Sequence, residues 1–311
     1  MTEKKFYLEQ VDYIRAFASL AVALFHLGGK VLPVLKYGWL GVQMFFLLSG
    51  FIICWAIPPA YTWRMMGTFL SKRLLRIEPP YIVSILLALM VHFVWVADYH
   101  PDWMNILSHL AYINNFIGKP YLSPVYWTLG VEFQYYVFIA LCFPLIRSPW
   151  GLWFLLTICL VPLWIPMHGT LLFQVFPLFA LGILYYLYIM GLKGIKELSL
   201  FGIVITAISI CTAGWWPTFA GLLALAMLII PLRSHRIISF LSRISFSLYL
   251  THDIVGSNLV VYMGRNLPKT FLFKSLEFFT GIVVSILFAY LFYRLVEAPC
   301  LKLSKRMSYT G

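Results

Sequence analysis

DYIRAFASLAVALFHLGGK, residues 12–30, is apolar enough to enter a bilayer, yet it carries Asp12, Arg15, Ser19 and His26. On a helix turning about 100° per residue, the eleven-residue step from Arg15 to His26 closes to within roughly 20° of three full turns. Asp12 lies three residues before Arg15 and Ser19 four after, so the four side chains share one stripe. An ionisable group facing hydrocarbon costs about 2.5–3.5 kcal/mol even on the most lenient insertion scale. The stripe therefore faces protein or water, and the helix is a bundle member with a polar seam. His26 sits roughly 16 Å further along it than Arg15.

The rest of the chain has the same character. Of its 311 residues, 62% are hydrophobic and only 11% charged, outside the range of soluble globular domains. The net charge of +12 raises the question of nucleic acid. Its distribution excludes it, because the cations fall in short clusters between apolar spans and form no stripe. The five cysteines are scattered through apolar segments with no close pair, which argues against a disulfide framework and against a zinc site. The N-terminal MTEKKFYLEQ has no signal-peptide shape, so the first helix is expected to be retained.

Against the ~20 residues a bilayer core needs, about ten spans are expected. They lie near 12–33, 37–57, 79–97, 127–146, 150–167, 170–191, 199–215, 217–232, 244–263 and 271–296, with a Trp216–Pro217 turn between the seventh and eighth. A basic surface or interfacial helix is expected over 64–76, with the third span starting at Pro79–Pro80. The connection from Asp98 to Tyr126 is too long for a turn and is expected to fold over the bundle mouth. Ten spans put seventeen of the 23 Lys and Arg residues on the side holding both termini. The positive-inside bias then makes both termini cytoplasmic and the protein a multi-pass component of the cytoplasmic (inner) membrane. With no repeat or low-complexity linker, residues 1–311 form a single all-α transmembrane domain.

Four constellations could carry chemistry. In the first helix, His26 can take a proton from a hydroxyl and return it to a leaving group, or it can simply bond between helices. In KRLLRIEPPY (72–81), Arg73 and Arg76 share a face and fork onto phosphate oxygens, or they anchor the chain at the membrane surface. In WTLGVEFQYY (127–136), Glu132 is a carboxylate one turn inside a span, functional or part of an ion pair. In SFSLYLTHD (245–253), Ser245, Tyr249 and His252 fall at i, i+4 and i+7, lining a cavity or locking helices. Arg294 and Glu297 read as a local ion pair closing the last span. Asp98, His100 and Asp102 invite a metal, but Pro101 and the absence of further nearby ligands favour a solvated loop.

Taken in order, these stretches resemble the acyltransferase 3 family of integral membrane acyltransferases over nearly the whole chain. Arg15 and His26 match its R-x10-H element, and FFLLSGFII (Phe45–Ile53) is similar to its F-F-x-L-S-G signature. Arg73, Arg76 and Pro79 to Tyr81 match R-x-x-R-I-x-P-x-Y, and WTLGVEFQYY resembles W-S-L-x-x-E-x-x-F-Y. ISFSLYLTH (244–252) and YRLVEAP (293–299) match the two closing elements. Thr128, Phe133 and Ala298 depart from the usual residues without touching the polar ones.

The resemblance implies a transferase moving an acyl group, usually acetyl from acetyl-CoA, onto a hydroxyl of a cell-surface glycan, lipid-linked sugar or related acceptor. O-acetylation of envelope polysaccharide is of this kind. It implies a member without the fused SGNH-type hydrolase domain that some relatives carry. Arg73 and Arg76, with Arg15, would hold the coenzyme A phosphates. His26 would be general base or transiently acylated, and Glu132 would orient His26 or the acceptor. A thioester has a good leaving group, so no metal is expected. The aromatic-rich stretch from Asp98 to Trp127 would meet the acceptor at the outer face. The different-class alternative is a transporter or flippase of an acylated sugar or lipid, its polar seam serving as a permeation path. No hydropathy symmetry between the halves supports it.

Overall fold

The computed structural model describes residues 8–96, 98–165, 171–233 and 235–309. The N-terminal seven residues, the expected ends of the third and fifth spans (97 and 166–167) and the start of the sixth (170) lie outside that set. Among the described residues every regular element is helical. α1 (Glu9–His26), α2 (Gly41–Ala56) and α3 (Met66–Trp95) are followed by two short helices, α4 (Trp103–Leu110) and α5 (Asn114–Ile117). Then come α6 (Trp127–Ile146), α7 (Gly151–Trp164), α8 (Leu172–Ile189), α9 (Ile195–Ala213) and α10 (Trp215–Ile229). α11 (Arg236–Thr251) runs through a π-helical segment, His252–Ser257, into α12 (Asn258–Asn266). α13 (Phe271–Phe292) runs through a second, Tyr293–Glu297, into α14 (Ala298–Arg306). Among the described residues six stretches are long and apolar enough to cross a membrane, and α7 and α10 are shorter apolar helices. α1 and α11 are less apolar because each carries a polar stripe.

α2 sits at the centre, with most of its residues buried. It crosses α8 closely at two glycines: a Cβ on Gly50 would stand 2.1 Å from the Phe179 carbonyl oxygen, and one on Gly182 2.1 Å from that of Leu47. Small residues let backbones approach where lipid supplies no hydrophobic drive between helices. Around this crossing Phe46, Phe179 and Tyr135 stack, with ring centroids 5.1 and 4.3 Å apart.

Two expectations need correction. The basic segment is not a separate surface helix, because α3 continues from Met66 through Pro79 and Pro80 to Trp95. Two prolines free only the carbonyls one turn earlier, a loss that a membrane helix packed against its neighbours tolerates. The turn between α9 and α10 is at Gly214, whose φ of +97° suits glycine, and Pro217 sits in the first turn of α10. The connection from Asp98 to Tyr126, expected over the bundle mouth, packs into it. Tyr112, in the left-handed region at φ +57°, stacks on Phe133 at 4.8 Å and donates to Glu78 Oε2 at 2.7 Å. Tyr126 donates to Ser84 at 2.9 Å, and both tyrosines are buried. Trp103 instead stays 70% exposed.

Irregular backbone buried against other segments must satisfy its own polar groups. His109 does much of this. Its Nδ1 lies 2.8 Å from the Asn105 carbonyl, its Nε2 accepts from the Leu122 amide at 3.0 Å, and Asn114 bridges to Asn105. Asp102 caps α4 through the Asn105 amide and pairs with Lys119 at 2.6 Å. Both ring nitrogens of His109 are committed in the neutral form, and burial pushes the imidazole below its usual value of 6.5. The unfolded loop therefore binds more protons, so loop stability falls as pH drops below about 6.5. Hydrogen exchange at Leu122, corrected for intrinsic rate, is expected to accelerate between pH 7 and pH 5. Unchanged protection would remove this role for His109.

Candidate active site

The stripe on α1 is satisfied almost entirely by the stripe on α11, because the two helices pack side by side along their polar faces. Asp12 accepts from Ser242 at 2.7 Å and Ser239 at 3.4 Å, and the Arg15 Nε donates to Ser245 Oγ at 3.1 Å. His26 Nδ1 meets His252 Nε2 at 3.1 Å. Ser19 departs from this pattern, since it is fully buried and donates back to the Ala16 carbonyl of its own helix.

Beside Arg15 lies a cavity of about 120 Å³ between α1, α2, α3, α6 and α11. It gathers three guanidiniums, Arg15, Arg73 and Arg76, with the Glu132 carboxylate and the hydroxyls of Ser49 and Tyr249. The continuity of α3 puts Arg73 and Arg76 there, where a free surface helix would not. Arg73 lies over the rings of Phe69 and Tyr136 at 5.5 and 5.9 Å, which orients the guanidinium while sparing its donors. Among the described residues neither Arg73 nor Arg76 has a hydrogen-bond or ion-pair partner. Lys72, next to them in sequence, points elsewhere. It donates to the carbonyls of Ser304 and Met307 and so clamps α14 to α3. That contact places the start of α3 and the end of α14 at the same end of the bundle.

Glu132 accepts from Tyr136 and, at 3.5 Å, from Ser49. The expected contact with His26 is not made. His26 does not line the cavity, and its partners are the Val22 carbonyl and His252. Between the two stands Tyr249, whose hydroxyl pairs with Thr128 at 2.7 Å and whose ring centroid lies 6.2 Å from that of His252. The arginine cavity and the histidine pair are thus separate groups of side chains, and Tyr249 lines the first and lies beside the second.

The expected Arg294–Glu297 pair is also absent. Arg294 is exposed and donates to the Tyr290 hydroxyl at 2.9 Å. Glu297 is 1% exposed, accepts from Ser247 at 2.6 Å, and lies within electrostatic reach of Arg15 and Arg76. The segment joining them is π-helical, and in that wider turn residues three apart no longer share a face. The sequence signal for Glu297 was its place in the closing Y-x-x-x-E-x-P element. For His252 it was the i, i+4, i+7 stripe.

A family model described as an acyltransferase domain matches residues 8–294 of this chain. The chain belongs to the acyltransferase 3 family. It is 32% identical over 143 residues to a putative acetyltransferase, ORF330, of Acidianus two-tailed virus, covering 45% of this chain and 42% of the relative. It is 26% identical over 159 residues to acyltransferase MdmB of Streptomyces mycarofaciens, covering 45% and 40%. It is 28% identical over 157 residues to the O-acetyltransferase OatA of Staphylococcus aureus, covering 45% and 24%. The matches span less than half the length of these curated relatives. No solved structure matches the chain. As an acyltransferase 3 protein, the chain has its family's motif residues on two separate surfaces. The arginines of R-x10-H and R-x-x-R line the cavity, and the histidine of R-x10-H lies beyond Tyr249.

Proposed function

We propose that this protein is a membrane O-acyltransferase that moves an acyl group, acetyl by analogy with its relatives' names, from acyl-CoA to a hydroxyl. The acceptor is a cell-surface glycan or lipid-linked sugar. The observation that carries this reading is the convergence of three guanidiniums on one cavity, two of them with no partner among the described residues for their N–H donors. Unpaired guanidinium forks at the edge of a membrane bundle suit phosphate groups, and coenzyme A supplies them. In this reading about ten spans cross the inner membrane with both termini cytoplasmic, and the arginine cavity opens to the cytoplasm.

Distance favours the same assignment. Arg15 and His26 are eleven residues apart on one helix, roughly 16 Å along its axis. The pantetheine arm of coenzyme A is about four residues' worth of main chain, roughly 15 Å when extended. Phosphates at the guanidiniums therefore place the thioester near His26, provided the arm passes Tyr249. His26 is half-buried rather than sealed in the core. It acts as general base on that hydroxyl, and Glu132, held by Ser49 and Tyr136, keeps the cavity's positive charge balanced.

The test is transfer from labelled acetyl-CoA in membranes or proteoliposomes carrying wild type, Arg73→Ala or Arg76→Ala. Each substitution removes charge-assisted hydrogen bonds worth about 1.5–3 kcal/mol, so the donor KM is expected to rise roughly 10- to 100-fold. Absence of any acyl-CoA turnover by folded, abundant wild type would overturn the enzyme reading and favour transport of an acylated sugar or lipid.

A further inference from the structure

His26 does not stand alone. His252 is fully buried, and its Nδ1 lies 2.9 Å from the carbonyl oxygen of Leu248, one turn back. A carbonyl only accepts, so this Nδ1 carries hydrogen, and in the neutral ring Nε2 is left as an acceptor. That Nε2 faces His26 Nδ1 at 3.1 Å, and the same His26 nitrogen also faces the Val22 carbonyl at 3.2 Å. Both neighbours accept, so the His26 Nδ1 must donate. One protonation pattern satisfies the pair, and it leaves the lone pair of His26 on Nε2.

Charged groups of both signs bear on the pair. Asp253 follows His252 in the π-helical segment, accepts from Ser123 Oγ at 3.1 Å, and acts on both rings with its negative charge. Lys30 is the opposing cation on His26. π-helical turns within α-helices are often found at functional sites. A structural lock between α1 and α11 would need only one of the bonds already made by Asp12 and Arg15.

We propose that His252 is a positioning residue for the transfer. It fixes His26 in the Nδ1–H tautomer, so that Nε2 is the base, and it accepts the bond that spreads the charge of the imidazolium. This rests on the acyl-transfer reading above. In the step it serves, the acceptor O–H bond breaks and its proton passes to His26 Nε2. The acceptor oxygen bonds to the acyl carbon, the carbon–sulfur bond breaks, and the departing thiolate recovers the proton from His26.

The test uses purified full-length protein in lipid nanodiscs, with His252→Gln and His252→Leu. The glutamine side chain places an oxygen acceptor where Nε2 stood, whereas leucine fills the space and cannot accept. His252→Leu is expected to lower kcat by about 10²- to 10⁴-fold with the donor KM within about twofold, the size expected when a base is held in the wrong tautomer. His252→Gln is expected to recover to within about tenfold of wild type. Equal activity of His252→Leu and wild type, or equal loss in both variants, would overturn the proposal. Ring-nitrogen NMR of ¹⁵N-histidine protein reads the tautomer without any substrate. His26 is expected as Nδ1–H in wild type, and finding it as Nε2–H defeats the proposal even where no turnover is detected. Absent turnover with the Nδ1–H form present would instead count against the acyl-transfer reading.

Discussion

His26→Ala is expected to lower acyl transfer by about 10²- to 10⁴-fold while leaving the donor KM near that of wild type. The range is that of a general base lost from an otherwise complete site. Separate effects on the two constants follow from the geometry, since the guanidinium cavity lies roughly 16 Å back along α1 and does not include His26. The fold should tolerate the change. His26 is the last residue of α1, half-buried, and the helix end is closed by the Leu27 amide on the Ala23 carbonyl, a backbone bond. Only the bonds to Val22 and His252 are lost. Donor and acceptor kinetics in proteoliposomes would check this, with heat stability in detergent as the control for folding. Wild-type kcat in His26→Ala would end the catalytic assignment and leave His26 as an interhelical contact.

Much of this was legible because membrane helices advertise themselves by length and apolarity. The expected bounds of the fourth span, 127–146, are those of α6. The polar stripe of α1 was readable from spacing alone, and it does face another helix. Its partners were not readable. His26 and His252 lie 226 positions apart, and no local pattern states which of the two stripes pairs with which. The inner contacts of the Asp98–Tyr126 connection were not legible for a different reason. Composition does not say what its polar residues face, and Asn105, Ser108, His109 and Asn114 bond one another inside the protein. Prolines 79 and 80 suggested a helix start, and the cost of two freed carbonyls proved too small to break this long helix. Where the helix is not α, spacing arguments fail outright, and Glu297 is the case that matters.

Glu297→Leu is expected to destabilise the bundle by about 1–3 kcal/mol, a sizeable share of the ~5–15 kcal/mol that holds a typical protein folded. Three guanidiniums, Arg15, Arg73 and Arg76, share a site partly walled by hydrocarbon side chains. Arg15 lies in the field of Arg76 and is offset by Glu297, Asp12 and Glu132. Removing the most buried of these carboxylates leaves cationic charge that the site cannot hydrate fully, and it frees the Ser247 hydroxyl of its acceptor. Glu297→Gln keeps that hydrogen bond and loses only the charge, so it should fall between leucine and wild type. A second substitution, Arg76→Leu in the Glu297→Leu background, should recover part of the loss, because the two act as one coupled set. Arg294→Ala should be close to neutral, since its guanidinium is exposed and bonds only Tyr290. A local Arg294–Glu297 pair would instead make those two single changes alike. Thermal unfolding of the four variants in one detergent separates the cases, and a stable Glu297→Leu protein would show that the guanidiniums are balanced without it.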